Sequence, residues 1–195
     1  MADTDVELML KIKEGSKSAF NKLVKRHERV VVNFFYKNLW DKSNAEDLAQ
    51  ELFLRLFKAA KKYEPNAKFT TFMFRIARNL LIDYYRSRKN KPGTVSIQGG
   101  SDGNEDALQI IDTVASEDAP PEHASESSEL GDAIQDAISK LPEDQRVVFI
   151  MGEYEKMQYK EIAEVLDIPL GTVKSRMHAA YMKLRTLLAK FSPDE

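Results

Sequence analysis

Between Asn90 and Ser128 the chain loses its helical period, and that interruption limits the fold more than any other feature. The tract holds Gly93, Gly99, Gly100 and Gly103, half of the eight glycines, together with Pro92, Pro120 and Pro121. Residues 90–130 carry one Lys/Arg against nine Asp/Glu, so the segment repels itself as well as lacking an apolar face to bury. It reads as a flexible, extended acidic linker over residues 91–128. The fold must then be built from two small bodies, residues 1–90 and residues 129–192, each with its own core.

Both flanks carry helical spacing. Phe20, Leu23, Val24, His27, Val30, Val31, Phe34 and Phe35 recur three and four residues apart and form one apolar stripe. Ser43 with Glu46 has the pattern of a capping box opening a helix to about Lys61, with Leu48, Leu52, Leu56 and Ala59 inward. Thr70 or Thr71 is expected to cap a further helix reaching about Arg88. In the last third, Pro142 suits the first turn of a helix; a second runs from Tyr159 to Leu166 and a third from Thr172 to about Lys190. No alternating strand pattern of useful length competes, so the expected fold class is all-α.

Several classes of chain are excluded. There is no cysteine, hence no disulfide and no thiolate metal site, which suits a reducing cytosol. The longest apolar run, Val147 to Met151, is far below the ~20 residues of a membrane span, and the opening MADTDVELML has acids where a signal peptide has bases. A cytoplasmic protein with no membrane association is expected. Residues 1–89 hold 19 Lys/Arg against 11 Asp/Glu, a basic body ahead of an acidic strap, which points to a polyanionic partner for the first body.

The segment YKEIAEVLDIPLGTVKSRMHAAYMKLR has the spacing of a helix-turn-helix. Ile162, Ala163 and Leu166 make an inward face, and the small Ala163 lets a second helix approach. Asp167 to Gly171 supplies the turn, Ile168 fills the angle, and Thr172 is placed to cap a helix whose Val173, Met177, Ala180, Leu184 and Leu187 turn inward. Lys174, Ser175 and His178 are left on the outer face of its first turns, where a recognition helix meets base edges and phosphates.

In the first body the region Arg55 to Lys91 holds 11 bases against Glu64 and Asp83, interleaved with Tyr63, Phe69, Phe72, Phe74, Tyr84 and Tyr85. Cations that hold a backbone and rings that stack on unpaired bases suit single-stranded DNA. Arg75, Arg78, Asn79 and Arg86 fall on one side of the helix in FTTFMFRIARNLLIDYYRSRK. Phe72 and Phe74 are expected to be structural, because so small a body needs large side chains to bury. Asn79 can offer both a donor and an acceptor to the edge of a flipped base. The neighbouring helix NAEDLAQELFLRLF presents Asp47, Gln50, Glu51 and Arg55 outward, by default a solvated face.

Catalysis finds no foothold. His27, His123 and His178 fall on an apolar stripe, in the linker and on the recognition helix, so no triad or metal cluster is suggested, and His27 is expected to be a semi-buried core residue. QGGSDGN lacks the Lys-Ser/Thr of a phosphate loop. Asp102, Asn104 and Asp106 echo a calcium loop, yet Ala107 and Thr113 stand where its glycine and last glutamate belong. No catalytic residue, metal site or cofactor is expected. A free-standing helix-turn-helix repressor is the competing binding class, and the separate basic-aromatic segment argues against it.

Together these pieces resemble the extracytoplasmic-function sigma factors of the sigma-70 superfamily. AFNKLVKRHERVVVNFF and NAEDLAQELFLRLFKA are similar to the opening helices of the sigma-2 domain, FTTFMFRIARNLLIDYYRSR to its promoter-melting segment, and LPEDQRVVFIMGEYEKMQYKEIAEVLDIPLGTVKSRMHAAYMKLR to the sigma-4 domain. The resemblance implies a promoter-specificity subunit that recognises −35 and −10 elements with core RNA polymerase and assists promoter melting. Asp47, Gln50 and Glu51 would dock on the clamp helices of the largest polymerase subunit. The loop 64–71 with Asn79 would capture a −10 base, with Lys68, Arg75, Arg78 and Arg86 along the backbone. Lys174, Ser175 and His178, with Thr172 and Arg176, would read the −35 element. The linker would thread toward the active-site cleft, the other face of sigma-4 would meet the flap tip, and an anti-sigma factor is the usual regulator. Phe72 stands where many relatives carry tryptophan, and Ala179 where many carry arginine. The free chain is expected to be closed, its two domains packed together.

Overall fold

The computed structural model describes residues 3–89 and 124–191; the greater part of the acidic tract, residues 90–123, lies outside them. Among the described residues every regular element is helical. They are α1 (Asp5–Lys13), α2 (Lys17–Leu39), α3 (Lys42–Ala59) and α4 (Phe69–Lys89), then α5 (Ala124–Ser139), α6 (Glu143–Glu153), α7 (Tyr159–Leu166) and α8 (Leu170–Leu187), with single 3-10 turns at Ala60–Lys62 and Ala189–Phe191.

The first body grows from well-capped helices. Thr4 Oγ1 accepts the Glu7 amide at 3.2 Å and the Glu7 carboxylate accepts the Thr4 amide at 2.7 Å, a complete capping box that starts α1. Gly15, at φ +96, ends it by a turn that L side chains resist, and Ser16 then caps α2 through the Ala19 amide. Leu23, Val31, Phe34 and Phe35 are almost fully buried, and each such side chain contributes about 1.5–3 kcal/mol by leaving water. They pack on Ala45, Ala49, Leu52 and Leu56 of α3 and on Met73, Phe74 and Ala77 of α4, with Phe34 meeting Phe74 edge to face at 5.0 Å.

The second body is a compact helix-turn-helix. Val148, Ile150 and Met151 of α6, Ile162, Val165 and Leu166 of α7 and Val173, Met177, Ala180 and Leu184 of α8 close its core. A Cβ at Gly152 would meet the Met177 methyl, so the missing side chain leaves room for that end of Met177 between α6 and α8. Asp167 takes the left-handed conformation, φ 54, and turns the chain from α7 into α8, with Ile168 half-buried at the corner. Ala163 is likewise packed against the core, as its size predicted.

Several local expectations need correction. Asp41, not Ser43, caps α3, through the Asn44 amide at 3.0 Å; Ser43 and Glu46 lie inside the helix. The fourth helix begins at Phe69, so Thr70 and Thr71 are internal, and Thr71 is buried. Pro169 takes the N-cap position of α8 and Thr172 is its third residue. Val30 is 36 % exposed and drops out of the α2 stripe. The short helix α1 was missed, because its three buried residues, Leu8, Met9 and Ile12, make too brief a pattern. No helix among the described residues is long and apolar enough to cross a membrane.

Candidate nucleic-acid interface

The basic face of α4 is held by what lies beneath it. Phe69, Met73, Phe74, Ala77, Leu80 and Leu81 are buried, and this fixes the rotation of the helix about its axis. Arg75, Asn79 and Arg86 are thereby exposed and Arg78 half-exposed. The loop that leads into α4 is anchored from both sides. Tyr63 is buried with its ring edge-on to Phe72 at 5.2 Å, and Lys13 Nζ donates to the Tyr63 carbonyl at 3.0 Å. Phe72 is half-buried and Phe74 buried, the structural roles expected of them. His27 is buried against the Phe69 ring, with Nε2 3.0 Å from Asp5.

On α8, Lys174, Ser175 and His178 are exposed together at the start of the helix, while Thr172 is half-exposed. Arg176 separates from them: its Nε lies 3.1 Å from Asp144 of α6. On α3, Asp47 and Gln50 are exposed, but Glu51 turns toward Arg55 at 2.7 Å, and Arg55 also reaches toward Asp83 at 3.6 Å. The hydrogen bond that Arg55 donates to Glu51, with the charge of the two carboxylates, holds the Arg55 guanidinium above its ordinary pKa.

Beside Gln50 the structure opens an apolar groove of about 490 Å³ lined by Phe20, Val24, Val32, Ala49, Phe53 and Leu54. Leu54 and Phe57 are 53 % and 42 % exposed. These residues escaped the sequence reading; the signal was available, since Leu54 and Phe57 fall off the inward stripe of α3.

The two bodies are in contact, through α4 with the residue before it and through the end of α2. Lys68 Nζ meets Glu161 of α7 at 2.6 Å, and Arg75 Nη2 meets Glu164 at 2.8 Å. The hydrogen bond from Lys68, with one from the Gln158 amide, holds the Glu161 carboxyl below its usual range. Arg146 of α6 donates to the Asn38 carbonyl at 2.7 Å and also to the Leu141 carbonyl at 2.8 Å, tying the end of α2 to the second body. Tyr85 donates to the same Asn38 carbonyl at 3.0 Å, and burial pushes its hydroxyl up to about 12. Lys37 Nζ sits 4.3 Å above the Tyr154 ring. Beside it, burial raises the Glu155 carboxyl to about 7, an effect Lys37 opposes. Nothing in the sequence pointed to Arg146 or Asn38 as a joint. Among the described residues no group of three His, Cys, Asp or Glu is placed to hold a metal ion.

Comparison with known proteins matches residues 23–91 to Sigma-70 region 2 and residues 131–184 to Sigma-70, region 4. The ECF RNA polymerase sigma factor SigW of Bacillus subtilis (strain 168) is 34 % identical over 188 residues, covering 94 % of this chain and 98 % of that protein. The ECF RNA polymerase sigma-E factor of Haemophilus influenzae is 31 % identical over 180 residues and 91 % of each chain. Among solved structures, CnrH, determined in complex with the cytosolic domain of CnrY, shares the fold at a TM-score of 0.68 and 22 % identity, over 97 % of this chain and 100 % of that one. The sigma factor RpoE of Bartonella quintana, solved with the anti-sigma factor NepR, does so at 0.61 and 21 %, over 87 % of this chain and 96 % of that one.

Proposed function

The chain belongs to the extracytoplasmic-function branch of the sigma-70 family and directs core RNA polymerase to promoters; from that premise we propose how its residues divide the work. Residues 1–90 form the unit for the −10 element and the polymerase, residues 129–192 the unit for the −35 element, and residues 91–128 the strap between them.

Asn79 receives a base displaced from the −10 element, while Lys68, Arg75, Arg78 and Arg86 hold the strand by its phosphates. Lys174, Ser175 and His178 enter the major groove at the −35 element. Thr172 stands at the start of the same helix, and Arg176 contributes once it leaves Asp144. The single observation that carries this reading is the pairing of two exposed polar helix faces, one on α4 and one on α8, each set by a buried stripe on its own body. One face carries several arginines and an asparagine beside half-buried aromatics, which suits an opened strand. The other starts a helix-turn-helix recognition helix, which suits duplex DNA.

Asp47, Gln50 and Glu51 dock on the clamp helices of the largest polymerase subunit, and the groove beside them, with Leu54, supplies apolar area to an otherwise acidic face. The side of the second body away from DNA meets the flap tip. The protein works in the cytoplasm and does no chemistry of its own, its part in promoter opening being binding alone. An anti-sigma factor is its regulator, by analogy with the B. quintana relative that was solved with one.

Reconstitution tests the reading. With core polymerase and a library of genomic fragments, the chain is expected to start transcripts at discrete sites and to bind promoter duplex strongly only in the presence of core. Tight, site-specific binding without polymerase, and no transcript with it, would overturn the proposal in favour of a repressor.

A further inference from the structure

We propose that the second body inhibits the first by taking the place of DNA: the carboxylates of Glu161 and Glu164 on α7 occupy the Lys68 and Arg75 cations that an opened promoter strand needs. The inference rests on the assignment of Lys68 and Arg75 to the −10 strand given above.

The geometry is that of a substituted phosphate backbone. Glu161 and Glu164 are three residues apart on α7 and therefore share a face. Their side chains meet Lys68 at 2.6 Å and Arg75 at 2.8 Å, so two negative groups follow the two cations along the start of α4. Arg75 Nε also donates to the Glu164 main-chain carbonyl at 3.4 Å, so two N–H groups of its guanidinium are engaged by one residue. The Glu164 carboxylate oxygen is the kind of anionic acceptor that a phosphodiester oxygen would offer the same guanidinium.

Glu161 also caps α7 by accepting the Gln158 amide at 2.9 Å, and the position of the acids on that helix points the same way. In a docked helix-turn-helix the helix ahead of the recognition helix crosses the DNA backbone, where carboxylates are unwelcome. Here the α7 acids turn to α4 instead, while Lys174, Ser175 and His178 remain exposed at the far side of the turn.

Exposed ion pairs alone close nothing firmly. The closure has a second set of contacts that use no DNA ligand: Arg146 on the Asn38 carbonyl, Lys89 near Glu143 at 3.7 Å, and Lys37 over Tyr154. Between the bodies Leu81 and Ile82 of α4 line a cleft with Val147, Leu166 and Ile168. These contacts hold the bodies together, and the Glu161 and Glu164 pairs make that state exclusive of the strand. Because the two bodies are tethered, the inhibitor competes at the high effective concentration of an intramolecular group. The apparent affinity of the free chain for a single strand is then its intrinsic affinity reduced by the fraction of open molecules.

The test uses the full chain without polymerase and a labelled single-stranded DNA 20-mer of random sequence, read by anisotropy, with the radius of gyration from solution scattering. Glu164 is exposed, so Glu164→Arg is compatible with the fold; Asp132→Arg, an exposed acid on α5, makes the same change of net charge away from the contact. Glu164→Arg is expected to expand the chain and to tighten binding about tenfold, Glu164→Gln about threefold, and Asp132→Arg less than twofold with no expansion. Adding Arg75→Glu to Glu164→Arg is expected to restore the compact state by reversing the pair. Equal binding by Glu164→Arg and Asp132→Arg, or tighter binding by a Glu164→Arg chain that stays compact, overturns the inhibition. Failure of the underlying assignment shows separately: Arg75→Ala would then leave promoter opening with core polymerase intact.

Discussion

The faces of α4 and α8 are built alike, each an exposed polar row above a buried apolar stripe, yet they meet different surroundings. Along α4, Lys68 and Arg75 are answered by carboxylates of the other body. Along α8, Lys174, Ser175 and His178 stand exposed, and the one base drawn away, Arg176, is drawn by Asp144 of its own body. The difference teaches that a basic face is not by itself an available one. α4 is engaged from outside its domain and α8 is not, so on the roles proposed for them closing the chain bears on opening DNA rather than on recognising it.

The bluntest way to break the comparison is to remove the floor beneath one face. Phe34→Ala is expected to cost the first body about 3–5 kcal/mol, since a fully buried aromatic is lost against Phe35 and Phe74. Thermal unfolding should then show an early transition, with the helix-turn-helix melting later and nearly unchanged. A single transition lowered as a whole would mean that the bodies fold as one.

Asn79→Ala sharpens the comparison on the α4 side. Loss of a two-sided hydrogen-bonding group at a captured base is expected to slow strand opening about tenfold, seen by permanganate reactivity, while duplex recognition with core polymerase is largely kept. Equal loss at both steps would remove Asn79 from base capture. On the α8 side, Lys174→Ala is expected to weaken −35 binding a few-fold, about 1 kcal/mol, and to lower the salt slope by about one if the side chain holds a phosphate. An unchanged slope would take Lys174 off the backbone.

The smallest expected effect is of pH on closure. Glu155 has its carboxyl raised by burial to about 7 from an ordinary 4.5, so the closed chain binds more protons than a chain whose bodies have separated. Closure is therefore favoured below about 4.5 and weakens as pH rises to about 7, with little further change above. Lys37, lowered by its own burial, works in the opposite sense but only in the alkaline range. The charged groups facing this corner are Lys37 and, weakly, Glu153 beside Tyr154, and only the share of the Glu155 burial that the first body supplies is lost on opening, so the closed-to-open ratio should shift by only a few-fold. Emission from Trp40, the one tryptophan, next to the Asn38 joint, gives the measurement. A closed fraction that stays flat across that window would assign the burial of Glu155 to its own body.

Much of this was legible in the chain. α7 runs from Tyr159 to Leu166, the span its spacing gave, and the outward position of Asn79, Arg75 and Lys174 followed from the stripes beneath them. Caps were less legible, because Asp41, Ser43 and the threonines near Phe69 all have cap chemistry, and the choice among them depends on where packing begins the helix. The apolar groove at Leu54 was missed for another reason: an apolar residue off the inward stripe marks no groove until neighbours from α2 form the other wall.

What the sequence determined alone is the helical class and, α1 and α5 apart, the helices and their faces, because a 3.6-residue period is a local property that each segment carries with it. What only the tertiary structure decided is what comes to each face. Arg75 and Glu164 are 89 residues apart, and Arg146 and Asn38 are 108, so nothing in either neighbourhood announces the other. Such contacts are individually of the order of the thermal energy and form only because many buried side chains have already positioned the helices that carry them.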